Sequence, residues 1–506
     1  MTVEKKRLLI AVIASNLSLV AAMVYSLASI RLAIVHLDKE GLGLISLIAQ
    51  IVGYLAILDL GMGIAFNRIL IDYNEKSREE FARALKTARL VFTSLGAVGC
   101  LAAVLAALFG SGLFNIPDSL AIPFRNILIV QGFTLFLSFL AKPLTAPAIA
   151  NGRQDIVGWL SAGALVINTI VMSICFTLGI GIYSVLLGIL SSGLFYFIGS
   201  KLCARKFIPE STKDVTFDRN IFREVCSFAR DTVFWQIGGS CMYVLPTLLI
   251  SVFYGVILVA DLSGGMKIVL LLISICTRLP DMAIAPLSIQ AAGGNPAKAA
   301  DNLMRVSEVT GACGILGGIF IIAANPSFID WWMLGEISWP AGANVAAALW
   351  LAVVTLGRSF SGYAVVTKQL QIIRFAPLWQ CGILILLFFG SHSFLGPFAI
   401  VFALPLAEVI MSAIILYRMH HHTSLDARVV LPIISRQFLW CLVVLPLAFL
   451  GAGALSRLPL SDFYLFCATA TFSGILGLVS LPLLLRSKTR REIFQTISSK
   501  WRPRLA

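Results

Sequence analysis

The stretch "YLAILDLGMGIAFNRIL" (residues 54–70) decides how the chain is read, because it is apolar enough to finish a membrane crossing and yet holds Asp59 and Arg68. A helix in hydrocarbon keeps an acid and a base only where they meet water, a partner or a ligand. The surrounding runs give the setting. The 506 residues are 58% hydrophobic and 13% charged, with a mean hydropathy of +0.92. Apolar runs of about 20 residues, the length that crosses a bilayer as a helix, recur from end to end. The expected fold is all-α: a polytopic membrane protein of about 14 transmembrane helices, centred near residues 20, 54, 99, 135, 168, 191, 242, 274, 315, 355, 384, 406, 444 and 474. The basic, apolar start "MTVEKKRLLIAVIASNLSLVAAMVYSLASI" is too long in its apolar part for a signal sequence and has no convincing cleavage site, so it reads as the first crossing.

Most of the 39 lysines and arginines fall in alternate loops and the two ends, while the opposite loops hold only Arg31, Lys39, Arg125 and Arg457. That bias places both termini in the cytosol. It also accounts for the net charge of +14 as attraction to anionic lipid, and no nucleic-acid partner is expected. The ten cysteines are scattered singly, without CxxC, and read as small core residues. "HHH" at 420–422 reads as a solvated run. No P-loop, GxSxG or HExxH occurs, so neither a metal, a cofactor nor an enzyme is expected.

Spans 1 to 6 and 7 to 12 share a pattern. In each half the second span ends in a polar-interrupted segment and the third begins in an amphipathic one. "FLAKPLTAPAIANG" (139–152) laid on "TLGRSFSGYAVVTK" (355–368) puts Lys142 on Arg358 and Thr145 on Ser361. Two six-helix bundles of the same orientation form a parallel repeat, a transporter's arrangement of two rocking halves around a shared cavity. The expected division is 1–205 and 231–420 for the six-helix lobes, 206–230 for an amphipathic linker, and 421–506 for two extra helices with a basic tail.

The charges inside the apolar runs are the candidate site, since each costs about 2.5–3.5 kcal/mol at mid-membrane. Lys142 and Arg358 lie deep. Arg31 and Lys267 lie nearer span ends, where snorkelling to headgroups is the competing reading, and Arg68 reads as a snorkelling residue. Arg278 and Asp281 in "CTRLPDMAIAPLS" share a helix face, so a local ion pair is open to them. Asp59 and Arg68 stand nine residues apart, about 13 Å along a helix, so Asp59 needs another partner; Gly61 and Gly63 would let a neighbouring helix supply it. Glu408 is the other deep acid, where burial raises a carboxyl's affinity for protons. Asp59, Asp281 and Glu408 are candidates for coupling or gating, with structural ion pairing as the alternative.

"GLGLISLIAQIVGYLAILDLGMGIAFNRIL" (41–70) resembles the second-helix region of bacterial polysaccharide repeat-unit flippases of the multidrug/oligosaccharidyl-lipid/polysaccharide exporter superfamily. The matching residues are Asp59, Leu60, Gly61, Gly63 and Arg68. "ISVFYGVILVADLSGGMKIV" (250–269), "APLS" (285–288) and "NGRQD" (151–155) look like the family's seventh and eighth helices and the loop after the fourth. The resemblance implies alternating access in the bacterial inner membrane, with a cationic cavity for the diphosphate of a polyprenyl-linked oligosaccharide used in O-antigen, capsule or exopolysaccharide assembly. It implies a polysaccharide polymerase or co-polymerase as a partner. Arg31, Lys142, Lys267, Arg278 and Arg358 would form the substrate-binding set, since Arg offers a bidentate fork and Lys a point charge to phosphate. Relatives that flip the peptidoglycan precursor look more densely cationic along the first, second and eighth helices.

Two other functions compete. A cation-coupled multidrug exporter of the same superfamily would rely on cavity acids, and the first span has none between Leu8 and Leu37. A membrane glycan polymerase or ligase would need a sizeable outer loop with catalytic groups. "PSFIDWWMLGEISWPAGA" (326–343) offers only Asp330 and Glu336, and its Trp331, Trp332 and Trp339 read as an interfacial aromatic belt.

Overall fold

The structure, a computed structural model, describes residues 3–59, 61–207, 217–292, 296–366, 370–422, 427–486 and 489–491. Among them every regular element is helical. In chain order these are α1 (Val3–His36), α2 (Lys39–Leu55), α3 (Met62–Lys76), α4 (Arg78–Leu113), α5 (Asp118–Ala150), α6 (Gln154–Thr177), α7 (Tyr183–Ala204), α8 (Arg219–Tyr254) and α9 (Val256–Gly265). There follow α10 (Lys267–Cys276), α11 (Arg278–Ala292), α12 (Pro296–Trp332), α13 (Ala341–Val366), α14 (Leu370–Ile373), α15 (Ala376–Leu395), α16 (Ala399–His422), α17 (Ala427–Leu455) and α18 (Asp462–Leu484). Helix starts follow local chemistry. Asp38 accepts from the Gly41 N–H at 2.7 Å, Ser77 from the Glu80 N–H at 3.2 Å, and Asp218 from the Asn220 and Ile221 N–H groups, each satisfying donors that a first turn leaves unpaired.

Thirteen stretches among the described residues are long and apolar enough to cross a membrane. One of them, Gln371–His421, has 51 residues and contains both α15 and α16, separated by a 3-10 turn at Gly396–Phe398. Divided there, the stretches match the fourteen spans expected from the sequence.

The opening stretch breaks where the sequence places a polar interruption at the end of the second span. The span ends at Asp59, in a 3-10 turn at Ala56–Asp59, and α3 begins anew at Met62. Gly61 sits at φ 75° between them, a left-handed backbone that an L side chain would strain. Arg68 is therefore an exposed residue of a separate helix, which removes the puzzle of a base inside the span. A second break separates α10 from α11 at Thr277. Pro280 accounts for it, because its ring clashes with the carbonyl four residues back and removes one N–H.

Backbone contacts divide the chain into two compact units, Met1–Ser263 and Gly264–Ala506. In the first unit α4 packs on α5, α5 and α6 on α7, and α1 on α6, while α8 packs on α2, α3 and α4. Its core holds Phe66, Phe81, Phe92 and Phe139, all nearly inaccessible. Gly43 of α2 lies so close to α9 that a Cβ there would overlap the Val256 carbonyl oxygen. Lys39 pairs with Asp261 at 2.6 Å, and Ser46 donates to Ser263 at 3.0 Å, along the same seam.

In the second unit α12 is the hub, touching α10, α11, α13, α17 and α18. Its apolar window is 78% buried, against 17% for α1 and α7. The buried Asn325 of α12 donates to the Gly265 carbonyl at 3.1 Å and to Asn344 Oδ1 at 2.8 Å, and Trp339 Nε1 donates to the same oxygen at 3.0 Å. Trp339 thus turns its ring against Gly265 inside the unit. Trp331 and Trp332 join Phe328, Phe463 and Phe466 in an aromatic cluster where α12 ends and α18 begins.

Candidate functional site

Asp59 closes the second span, and its carboxylate is held from two directions. Oδ1 accepts the Gly63 N–H at 3.0 Å, and Oδ2 lies 3.0 Å from Lys142 Nζ on α5. The sequence required a partner from a neighbouring helix, and Lys142 is that partner. The Lys142 ammonium stands 4.6 Å from the centre of the Phe139 ring and 5.6 Å from that of Phe92, so two aromatic faces add to its stabilisation. The cation rests on the aromatic core of the first unit.

The second unit repeats the arrangement. Asp281 of α11, just past a helix break, accepts from Arg358 Nε of α13 at 2.8 Å. Lys142 and Arg358 are the residues that the internal alignment superposes, and the aligned hydroxyls behave alike. Thr145 donates to the Lys142 carbonyl at 3.1 Å and Ser361 to the Arg358 carbonyl at 2.9 Å. Each unit therefore carries one cation, one back-bonded hydroxyl three residues later, and one aspartate from beside an interrupted helix.

The two pairs differ in burial. The Asp59 side chain is 11% exposed, whereas Asp281 and Arg358 are 37% and 43% exposed. The open pair contributes about 0–1 kcal/mol to folding, as exposed ion pairs do. At membrane depth an open charged surface must meet water or a ligand, since hydrocarbon costs it several kcal/mol.

The remaining candidates are placed as follows. Arg31 is half-buried on α1 and belongs to the first unit. Arg278 starts α11, half-buried, three residues before Asp281. Lys267 opens α10 and is half-buried; among the described residues no carboxylate lies within ion-pair distance of it. Glu408 of α16 is 4% exposed and accepts from Gln380 Nε2 at 2.6 Å. It faces α13 at Gly357, where a Cβ would come 3.4 Å from its Oε1. The structure brings Asp59 to Lys142 and Asp281 to Arg358, and buries Glu408 inside the second unit.

Two buried acids escaped the sequence reading. Asp261, in "VADLSGG", is 1% exposed and holds Lys39. Glu308 of α12 is equally buried. It accepts the Arg486 backbone N–H, Arg486 Nε at 2.9 Å and Thr489 Oγ1 at 2.6 Å. The available signal in both cases was a lone acid within an apolar run. Outside the spans, Tyr73 of α3 donates to Glu224 of α8 at 3.2 Å; burial, then the Glu224 charge, holds its phenol above the ordinary tyrosine range.

Among the described residues no three His, Cys, Asp or Glu side chains are grouped to hold a metal. In "HHH", His421 packs edge-on against Tyr417 at 4.5 Å. The second unit also contains a cavity of about 840 Å³ lined almost wholly by apolar side chains of α12, α13, α16 and α17, among them Val345, Val353, Phe360, Phe402 and Leu431.

The fold is similar to those of solved MATE family transporters and of a lipid II flippase. The lipid II flippase MurJ in an inward closed conformation matches over 96% of this chain and 100% of its own, with a TM-score of 0.67 and 15% identity. An inward-facing multidrug resistance MATE family transporter of the MOP superfamily matches over 79% and 94%, with a TM-score of 0.65 and 13% identity. The eukaryotic MATE transporter AtDTX14 matches over 84% and 97%, at 0.61 and 16%. The 4% of this chain outside the MurJ match is shorter than either α17 (29 residues) or α18 (23 residues), so the match omits neither helix whole. No family profile matches the sequence, and a search of curated proteins returns no relative.

Proposed function

We propose that the protein is a bacterial alternating-access flippase that moves a polyprenyl diphosphate-linked oligosaccharide from the cytosolic to the outer leaflet of the inner membrane, for surface polysaccharide assembly. The observation that carries this reading is the recurrence, in both units, of an intramembrane cation at the repeat-matched position, Lys142 and Arg358, each steadied by an aspartate. A diphosphate is the cargo group that such cations suit. The apolar cavity of the second unit offers space of the right character for an isoprenoid tail. Arg31, Lys267 and Arg278 belong to the proposed binding set, and Glu408 is the proposed coupling acid. A polymerase or co-polymerase is the proposed receiver of the flipped unit.

The first span holds no acid between Leu8 and Leu37, which weighs against a cation-coupled drug exporter that relies on cavity acids. The discriminating experiment replaces Lys142 and Arg358 together by Gln in a strain that depends on this chain for surface glycan. The expected outcome is accumulation of lipid-linked repeat units on the cytosolic leaflet. Undiminished surface glycan in cells that make the variant at wild-type level would remove the electrostatic basis of the proposal. Raised drug sensitivity with normal glycan would transfer the assignment to multidrug export.

A further inference from the structure

We propose that Asp281 is a positioning residue: it holds Arg358 by Nε alone, so that the terminal edge of the guanidinium is presented to a phosphate oxyanion. This rests on the flippase reading above and adds a role within its site. A guanidinium has five N–H donors and can receive a carboxylate or a phosphate in bidentate fashion. Asp281 takes the Nε–H at 2.8 Å, and among the described residues the two terminal nitrogens of Arg358 make no hydrogen bond. Here one donor is used and the fork is left open.

Three further observations support a role beyond folding. The pair is too open to contribute much to stability. It joins helices 77 residues apart in sequence, so it fixes a flexible side chain against a separate element rather than trimming a helix surface. It also recurs: in the first unit Asp59 holds Lys142 at 3.0 Å while Gly63 N–H holds Asp59, leaving the remaining ammonium N–H groups for a ligand. An arginine tied at one nitrogen has lost its rotamer freedom before the ligand arrives, which strengthens binding without a new contact. The aspartate thereby acts through Arg358 and need not touch the cargo.

The test uses the full chain in lipid nanodiscs, with farnesyl diphosphate as the probe, and follows thermal unfolding in parallel. Arg358→Gln is expected to weaken binding at least tenfold. Asp281→Ala, which removes the tether, is expected to weaken it about three- to fivefold, and Asp281→Asn, whose amide oxygen still accepts from Nε, to stay within about 1.5-fold of wild type. Arg358→Lys should lose as much as Arg358→Gln, because one ammonium cannot reproduce both the tether and the fork. It provides the answer should Asp281→Ala fail to fold. Asp281→Ala binding as tightly as wild type or tighter, or Arg358→Lys binding normally, would overturn the positioning role while leaving the cation's role intact. Wild type and Arg358→Gln binding the diphosphate equally would instead overturn the flippase reading together with this inference.

Discussion

Asp59 and Lys142 lie 83 positions apart in the chain, yet the carboxylate of one is 3.0 Å from the ammonium of the other, where a span ends and α5 passes. The aspartate also receives the Gly63 N–H in the first turn of α3, so a single side chain ends one span, ties the start of the next helix and fixes a cation.

Removing it should therefore show energetic coupling. Asp59→Ala strands a half-buried lysine and an N–H donor, and the expected loss is about 1–3 kcal/mol. Asp59→Ala combined with Lys142→Ala should lose less than the two single losses added together. Thermal unfolding in detergent measures the cycle, and strict additivity would show that the two residues do not interact.

The α2–α9 seam has no room at Gly43. Gly43→Val would place its Cβ on the Val256 carbonyl, and overpacking against backbone costs about 3 kcal/mol or more. Gly53→Ala on the same helix meets nothing within 4 Å and should be neutral or stabilising. Yield of monodisperse protein on size-exclusion chromatography compares the two, and equal yields would refute the close approach.

Glu308 gathers three donors from the residues after α18. Glu308→Ala leaves those donors unmet and should release the segment, at about 2 kcal/mol or roughly thirtyfold in local opening. Hydrogen exchange over residues 485–491 is the readout. Protection equal to wild type would mean the segment is held by something else.

For Glu408 the contrast lies between Gln and Ala. Glu408→Gln keeps a partner for Gln380 and should stay within about 1 kcal/mol of wild type, whereas Glu408→Ala opens a hole and orphans an amide, costing about 2–4 kcal/mol. Unfolding temperatures decide it. In its proposed coupling role, Glu408→Gln should abolish transport in spite of its intact fold.

Much of this was legible in the sequence because hydrocarbon imposes so strict a length and composition. The fourteen spans follow from apolar runs, and the Lys142–Arg358 correspondence from a faint repeat. The interruption at Asp59 was legible too, as a polar break ending the second span, but "DLGMG" does not fix its geometry; the left-handed backbone at Gly61 does. The partner of Asp281 was hidden for a different reason. Arg278 is a neighbour in sequence on the same helix face, whereas Arg358 becomes a neighbour only through the packing of α11 on α13. Asp261 and Glu308 were masked by apolar surroundings that make a lone acid look incidental. The expected lobe boundary at 231 follows the repeat, whereas the compact units divide after Ser263, because α8 packs with the helices that precede it.

The apolar cavity of the second unit has a practical bearing on anyone purifying this protein. Alkyl chains of a solubilising surfactant are chemically suited to the space between α12, α13, α16 and α17, and are expected to enter it on extraction. Shelf life should then track surfactant chain length, and a titration with any isoprenoid compound will report the eviction of a resident chain as well as the arrival of a new one.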